Sequence, residues 1–154
     1  MRRKRQRRLM LLILVPVFVL LGFLTNISFN FFSAGYQTEK LVNTFYTLEQ
    51  DGDFSDSWEL LHPYMKDRWK KGAFIQDRAH VFINHFGAET FQFTVIEGDR
   101  IDGWSMSQDL PPVDSAYQFT VTQTYQGKYG KFSFIQEVYV AEDNGEWRIL
   151  WDYN

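Results

Sequence analysis

The three histidines are the first side chains to consider for metal binding or acid–base chemistry. His80 and His85 are five residues apart. Two ligands on one helix face normally stand three or four residues apart, so this spacing does not predict a shared metal site. His62 directly precedes Pro63, which is typical of a helix end. The chain has no cysteine, which excludes disulfides, thiolate metal sites and a cysteine nucleophile. The sequence therefore predicts neither a metal site nor a cofactor.

The carboxylates do not form a catalytic pattern. General acid–base catalysis by Asp or Glu needs carboxylates whose pKa values are shifted by burial or by a neighbour. The acidic residues here fall in turns, as with Asp99 and Asp102, or at outward positions of predicted strands, as with Glu137 and Asp152. The sequence therefore predicts a protein that is not an enzyme.

One short segment combines basic and aromatic side chains: Lys66, Arg68, Trp69, Lys70 and Lys71. From Tyr36 onward the chain has 10 Lys or Arg against 19 Asp or Glu, a net charge of -9. The charge of this cluster is therefore opposite in sign to that of the rest of the domain. Trp and Arg are enriched at binding surfaces. The cluster is a candidate docking patch for an anionic polymer, lipid headgroups or an acidic protein, and the alternative is a solvated helix face. An acidic domain has no global attraction to phosphates, so we expect no nucleic-acid partner.

The N-terminal segment predicts a membrane anchor. Residues 1–8 carry six of the 16 basic residues, and the following run to Leu24 has no charge. That run alone covers about 24 Å, whereas continuing to Phe32 gives about 36 Å, enough for a hydrocarbon core of about 30 Å. Basic residues collect on the cytoplasmic side. The sequence therefore predicts a cytoplasmic tail over 1–8, a single-pass type II transmembrane helix over 9–32, a linker over 33–38 and an extracytoplasmic domain over 39–154.

A cleaved signal peptide is the alternative interpretation of the same segment. The small residues Ser33-Ala34-Gly35 offer a cleavage site. The Phe-rich stretch before them favours the uncleaved anchor, because that part of a signal peptide is usually polar. Both interpretations place the domain outside the cell membrane.

The hydrophobic periodicity predicts helices first and strands afterwards. Helices are predicted over Glu39–Gln50, which Asp51-Gly52-Asp53 ends, over a short segment with Asp56 as N-cap and Glu59 completing a capping box, and over Phe74–Phe86 with Gly87 as C-cap. Alternation then predicts four strands, Thr90–Ile96, Ala116–Thr124, Lys131–Ala141 and Glu146–Tyr153. Asn144-Gly145 predicts a type I′ turn between the last two strands, and Gly127 and Gly130 mark the preceding hairpin. The stretch Ser105–Asp114 is predicted to be an exposed connection.

These elements predict an α+β protein, with an N-terminal transmembrane helix followed by helices packed on a curved antiparallel sheet of about four strands. Trp147 and Trp151 stand four residues apart on the last strand and so share one face. We expect that face to be the core.

Three stretches resemble the nuclear-transport-factor-2-like superfamily, whose members have a cone-shaped α+β fold. They are Leu41–Tyr46 running into Asp51-Gly52-Asp53-Phe54, the segment Trp58–Pro63, and the closing hairpin Val138–Ile149. The resemblance covers roughly residues 36–154 and implies a domain of the type found behind single N-terminal anchors in bacterial envelope proteins. Enzymes of the superfamily place Asp or His inside the cone, where this sequence places mostly apolar residues.

The resemblance and the residues together predict a non-catalytic interaction or assembly module of an envelope complex related to secretion, conjugation or the cell wall. Its expected partners are the membrane and other envelope proteins or further copies of itself. The alternatives are a small-molecule binding domain that uses an apolar pocket in the cone and, third, an enzyme of the same fold.

Overall fold

The computed structural model describes residues 34–80, 87–88 and 90–154. The chain divides into two units, Met1–Tyr36 and Gln37–Asn154. The predicted cytoplasmic tail and the predicted transmembrane helix over 9–32 lie outside the described residues. Within the part that is described, no helix is both long enough and apolar enough to cross a membrane.

Within the described residues, four helices precede four strands, which confirms the α+β class. The helices are α1 over residues 34–51, α2 over Phe54–Glu59, α3 over Pro63–Arg68 and α4 over Lys71–Ala79. The strands are β1 over Phe91–Asp102, β2 over Ser115–Gly127, β3 over Gly130–Asp143 and β4 over Glu146–Trp151. All neighbouring strands are antiparallel, and their order in the sheet is β1-β2-β3-β4.

Helix α1 starts earlier than the predicted Glu39, since residues 34–38 are helical as well. It ends in a Schellman motif around Gly52, whose φ is +81°. The Gly52 N–H donates to the Glu49 carbonyl at 3.3 Å, and the Asp53 N–H donates to the Leu48 carbonyl at 2.8 Å. The predicted break at Asp51-Gly52-Asp53 is therefore confirmed.

The predicted start of α2 is wrong. The helix begins at Phe54 because the Asp53 carbonyl already accepts from the Asp56 and Ser57 N–H groups, at 3.0 and 3.1 Å. Asp56 thus lies in the first turn, and no capping box forms. Glu59 contacts lysines instead.

Helix α4 also begins before its predicted start. The prediction placed it at Phe74, but the helix starts at Lys71, directly after the extended Lys70. Phe74 is buried and Ile75 is half-buried. The predicted inward residues Phe82, Ile83 and Phe86 lie outside the described residues.

The helices pack on one face of the sheet. The buried positions of α1 include Val42, Phe45, Tyr46 and Glu49. Phe45 contacts Trp151 edge-on, with ring centroids 6.2 Å apart, and Phe74 of α4 stacks on Trp151 at 6.4 Å. The prediction that Trp151 faces the core is confirmed.

The predicted hairpins form as expected, but the 105–114 connection is not simply exposed. Asn144 and Gly145 both have positive φ, at 52° and 85°, as a type I′ turn requires. Met106 is buried, and the preceding Trp104 stacks on Tyr139 at 4.1 Å. This connection therefore covers part of the sheet face opposite the helices.

Candidate functional site

The predicted docking cluster lies where α2, α3 and α4 meet the end of β4. Here the Trp58 ring has two lysine ammonium groups over it, Lys66 at 4.8 Å and Lys71 at 5.5 Å from the centroid. Both lysines also contact the Glu59 carboxylate, at 3.6 and 2.7 Å. The hydrogen bond from Lys71, the largest cause, and the nearby charge of Lys66 lower the pKa of Glu59. Glu59 and the Trp58 ring thus hold two of the predicted cations in fixed positions.

The other predicted members of the cluster contact Tyr153. The Arg68 guanidinium lies over the Tyr153 ring at 3.9 Å, and Trp69 Nε1 donates to the Tyr153 hydroxyl at 2.9 Å. Trp58 Nε1 donates to the Trp69 carbonyl at 2.7 Å, which joins the two halves of the cluster. Cation–π contacts of this kind contribute about 0.5–1 kcal/mol each at exposed sites.

Lys70 and Arg148 complete this surface. Lys70 has a 74% exposed side chain and pairs with Asp67 at 3.1 Å. Arg148 of β4 donates to the Glu59 carbonyl oxygen at 3.0 Å and also pairs with Glu146. Nothing in the sequence groups Arg148 with these residues, which are far from it in the chain. We call the whole set the basic–aromatic surface: Trp58, Glu59, Lys66, Arg68, Trp69, Lys70, Lys71, Arg148 and Tyr153.

A second polar cluster lies under the helices, where the sequence predicted mostly apolar groups. Glu49 of α1 is buried, and its carboxylate forms an ion pair with Arg78 of α4. Ser57 of α2 donates its hydroxyl to the other carboxylate oxygen. The sequence did contain a signal that Glu49 is buried. It stands three residues after Tyr46 and four after Phe45, so it lies on the same buried face of α1.

Two tyrosines extend this buried polar centre towards the sheet. The Tyr46 hydroxyl donates to Gln136 Oε1 at 3.0 Å, and the Tyr125 hydroxyl donates to Gln123 Oε1 at 2.7 Å. Burial raises the pKa of both tyrosines well above the usual range, while the positive charge of Arg78 acts in the opposite direction. Both hydroxyls therefore stay protonated at neutral pH and act as hydrogen-bond donors.

His62 begins a helix, so its predicted role as a helix end is wrong. Its Nδ1 accepts from the Tyr64 N–H at 3.2 Å, which caps α3, and Pro63 takes the first helical position. Burial lowers the pKa of the buried His62 imidazole. His80 is exposed at the end of α4, and His85 lies outside the described residues. In the described part of the chain, no group of three or more His, Asp or Glu could hold a metal ion.

An open groove of 450 Å³ lies beside the first strand and the end of α1. Its lining carries amides, hydroxyls and one aromatic residue, from Gln50, Gln92, Phe93, Thr94, Thr122 and Thr124. The groove lining is uncharged and mixes polar and apolar surface, unlike the apolar pocket that the sequence suggested as an alternative.

A scan of the chain against protein-family models finds no match. A search of curated proteins likewise finds no similar sequence.

Proposed function

We propose that this chain is a non-catalytic interaction module, held at the outer face of the cell membrane by a helix over residues 9–32. The basic–aromatic surface is its docking site for an anionic partner. We further propose that the domain is related to the nuclear-transport-factor-2-like superfamily. Helices that precede a four-stranded antiparallel sheet and pack on one of its faces support that relationship.

The observation that carries the docking proposal is the fixed placement of cations on an otherwise acidic domain. Lys66 and Lys71 are held by one ring and one carboxylate, and Arg68 is stacked on Tyr153. Side chains ordered before binding lose less conformational entropy when a partner docks. The exposed Lys70 and Arg68 are available to meet the negative charge of that partner.

The contacts of the buried polar cluster around Glu49 support a structural role for that cluster and not a catalytic one. Both carboxylate oxygens of Glu49 accept hydrogen bonds, from Ser57 and Arg78. A general base needs a free oxygen within reach of a substrate proton. The hydroxyls of Tyr46 and Tyr125 are likewise engaged by glutamine side chains.

Charge reversal of the two exposed cations tests the docking proposal. On intact cells stripped of their wall, where the basic tail over residues 1–8 is inside, the full-length chain carrying Arg68→Glu and Lys70→Glu should lose binding to an added soluble polyanion. Binding by the native chain should weaken as salt is raised, since exposed charges are screened beyond about 8 Å at 0.15 M. Lys40→Glu with Lys128→Glu, two reversals elsewhere, is the matched control. Equal binding by both double variants would refute the proposal.

Protease protection tests the proposed topology. Protease added to intact cells stripped of their wall should digest the domain and leave the basic tail over residues 1–8 protected. Mature protein beginning near Tyr36 would instead establish the cleaved-signal interpretation.

A second candidate function is small-molecule binding in the open groove. Its lining offers the hydroxyls of Thr94, Thr122 and Thr124 and the amide of Gln92, which suit an uncharged polar ligand. Screening uncharged polar compounds for a rise in melting temperature distinguishes this candidate, because Thr94→Val with Thr122→Val should abolish such a rise and the charge reversals should not.

A further inference from the structure

The side of the sheet that faces away from the helices carries three rows of side chains on three neighbouring strands. Successive residues of a strand point to opposite faces, so the strand register fixes the members of each row. The rows are Gln92 with Thr124 and Ser133, Thr94 with Thr122 and Ile135, and Ile96 with Thr120 and Glu137. Strands about 4.8 Å apart and alternate residues about 6.7 Å apart give a surface of roughly 10 by 13 Å. We call these nine positions the threonine face.

The described part of the chain covers the neighbouring region of this side of the sheet but leaves the threonine face open. Trp104 stacks on Tyr139, which is the next outward residue of β3 after Glu137. On the threonine face itself, Ile96 is 63% exposed and Ile135 is 65% exposed. The face is therefore accessible to a ligand.

Several polar side chains of the threonine face have unused hydrogen-bonding capacity. Among the described residues, none forms a hydrogen bond with the side chains of Gln92, Thr94 and Thr122. The hydroxyls of Thr124 and Ser133 bond to each other at 3.0 Å, which leaves further acceptor positions on both. A ligand that covers this face must offer donors and acceptors of its own, because burial of unpaired hydroxyls and amides is costly.

The composition of the threonine face does not suit several other classes of partner. A polyanion needs cations, but the one charge among these nine described positions is that of Glu137, and Lys131 lies one row outside them. Protein-binding hot spots are rich in Trp, Tyr and Arg and poor in Thr and Ser. An apolar ligand would bury the hydroxyls without partners. A neutral ligand with many hydroxyls avoids all three mismatches.

We propose that the threonine face binds a neutral oligosaccharide, in an assignment that rests on the second candidate function because Gln92, Thr94 and Thr122 also line the open groove. Sugar hydroxyls both donate and accept, as threonine hydroxyls do, so they complete the unused hydrogen bonds. The C–H surface of a sugar ring lies against Ile96 or Ile135. Repeated rows of hydroxyls on a sheet suit a chain of sugars better than a single ring.

Binding of neutral hexasaccharides to the full-length chain tests this proposal. The chain is purified in a polyoxyethylene detergent, because a detergent with a sugar headgroup would compete for the face. Hexasaccharides from cellulose, chitin, mannan and xylan are titrated calorimetrically, and at least one should bind the native chain. Thr94→Val with Thr122→Val should weaken that binding about 5- to 150-fold, because two hydrogen bonds are lost while the side-chain shape is kept.

The matched control removes two hydroxyls from other parts of the surface. Thr44→Val, on α1, with Ser107→Ala, in the 105–114 connection, should leave the affinity for the sugar unchanged. Urea unfolding of both double variants without sugar checks that each is folded. Gln92→Ala changes an exposed residue outside the core and should weaken the same binding about 2- to 12-fold, which guards against a folding defect in the valine variant.

The outcomes separate this assignment from the function on which it rests. Equal affinity of the native chain and the valine variant would overturn the proposal. A rise in melting temperature with uncharged compounds other than sugars, and with no sugar, would overturn it while keeping the groove as a small-molecule site. No response to any uncharged compound would overturn both. Self-association of the native chain that the valine variant abolishes would assign the face to a second copy, and so would also overturn it.

Discussion

Glu49 and Arg78 form an ion pair beneath the helices, linking the end of α1 to the last turn of α4. The Glu49 side chain is 1% exposed and that of Arg78 is 15% exposed. Arg78 also lies near the Phe74 and Trp151 rings, at 5.8 and 5.6 Å from their centroids. The pair therefore joins two helices above the same aromatic cluster that anchors them to the sheet.

Replacing one member of this ion pair should lower the free energy of unfolding far more than replacing both members. Arg78→Met should lower the free energy of unfolding by about 3–5 kcal/mol, because Glu49 is left buried without its countercharge. The double variant Glu49→Met with Arg78→Met should recover much of that loss, since apolar side chains of similar size suit the site. Urea unfolding of the three proteins at neutral pH measures both effects. A double variant less stable than Arg78→Met would contradict this account.

The sequence predicted the pattern of elements well because periodicity and turn chemistry are local. The four strands, the Gly52 helix end and the Asn144-Gly145 turn all depend on residues within a few positions of each other. The start of α2 was missed because the Asp53 carbonyl, and not the Asp56 side chain, provides the first hydrogen bonds.

The sites were less predictable because they depend on contacts between distant segments. The basic cluster was visible in the sequence, but its neighbours Arg148 and Tyr153 come from the last strand and the residues after it. Glu49 meets Arg78 only after α1 and α4 have packed. The spacing of these residues in the sequence does not predict their contact. A glutamate in a predicted helix is ordinarily solvated, so burial of Glu49 was not expected.

Trp151 should be among the most important core residues. It lies on β4 against Phe45 of α1 and Phe74 of α4, so Trp151→Ala would leave a cavity between the helices and the sheet. We expect a loss of about 3–5 kcal/mol in the free energy of unfolding. Tyr129→Ala, at a residue that is 79% exposed, is the control and should change little. An unchanged denaturant midpoint for Trp151→Ala would refute its placement.

Gly52 should resist substitution for a conformational reason alone. Its φ of +81° is unfavourable for residues with a Cβ, although no atom lies within 4 Å of where that Cβ would be. Gly52→Ala should therefore destabilise the domain by about 1–2 kcal/mol, and Gly52→Asn by less, because Asn tolerates positive φ better. Gly72→Ala is the matched control, since that helical glycine also has open space around it. Equal destabilisation by the two alanine variants in urea unfolding would contradict the argument.

His62 should make the stability of the domain depend on pH. Its Nδ1 must be unprotonated to accept from the Tyr64 N–H, and protonation would also place a charge at a buried position. Burial lowers the pKa of His62; Arg148 lowers it further and Asp143 acts in the opposite direction. The folded pKa thus lies below the ordinary value of 6.5, so the unfolded chain binds the proton more readily than the folded one. Stability from His62 is complete above pH 6.5 and falls as the pH drops towards the folded pKa.

His62→Asn isolates this effect, because asparagine also caps helices but does not titrate. The free energy of unfolding of the native chain should fall more between pH 7.5 and 5.5 than that of His62→Asn, both values chosen to bracket the ordinary histidine pKa of about 6.5. All other side chains are the same in both proteins, so their contributions cancel in the comparison. Urea unfolding at the two pH values measures the difference. Identical pH dependence would show that His62 is not held unprotonated by its place at the start of α3.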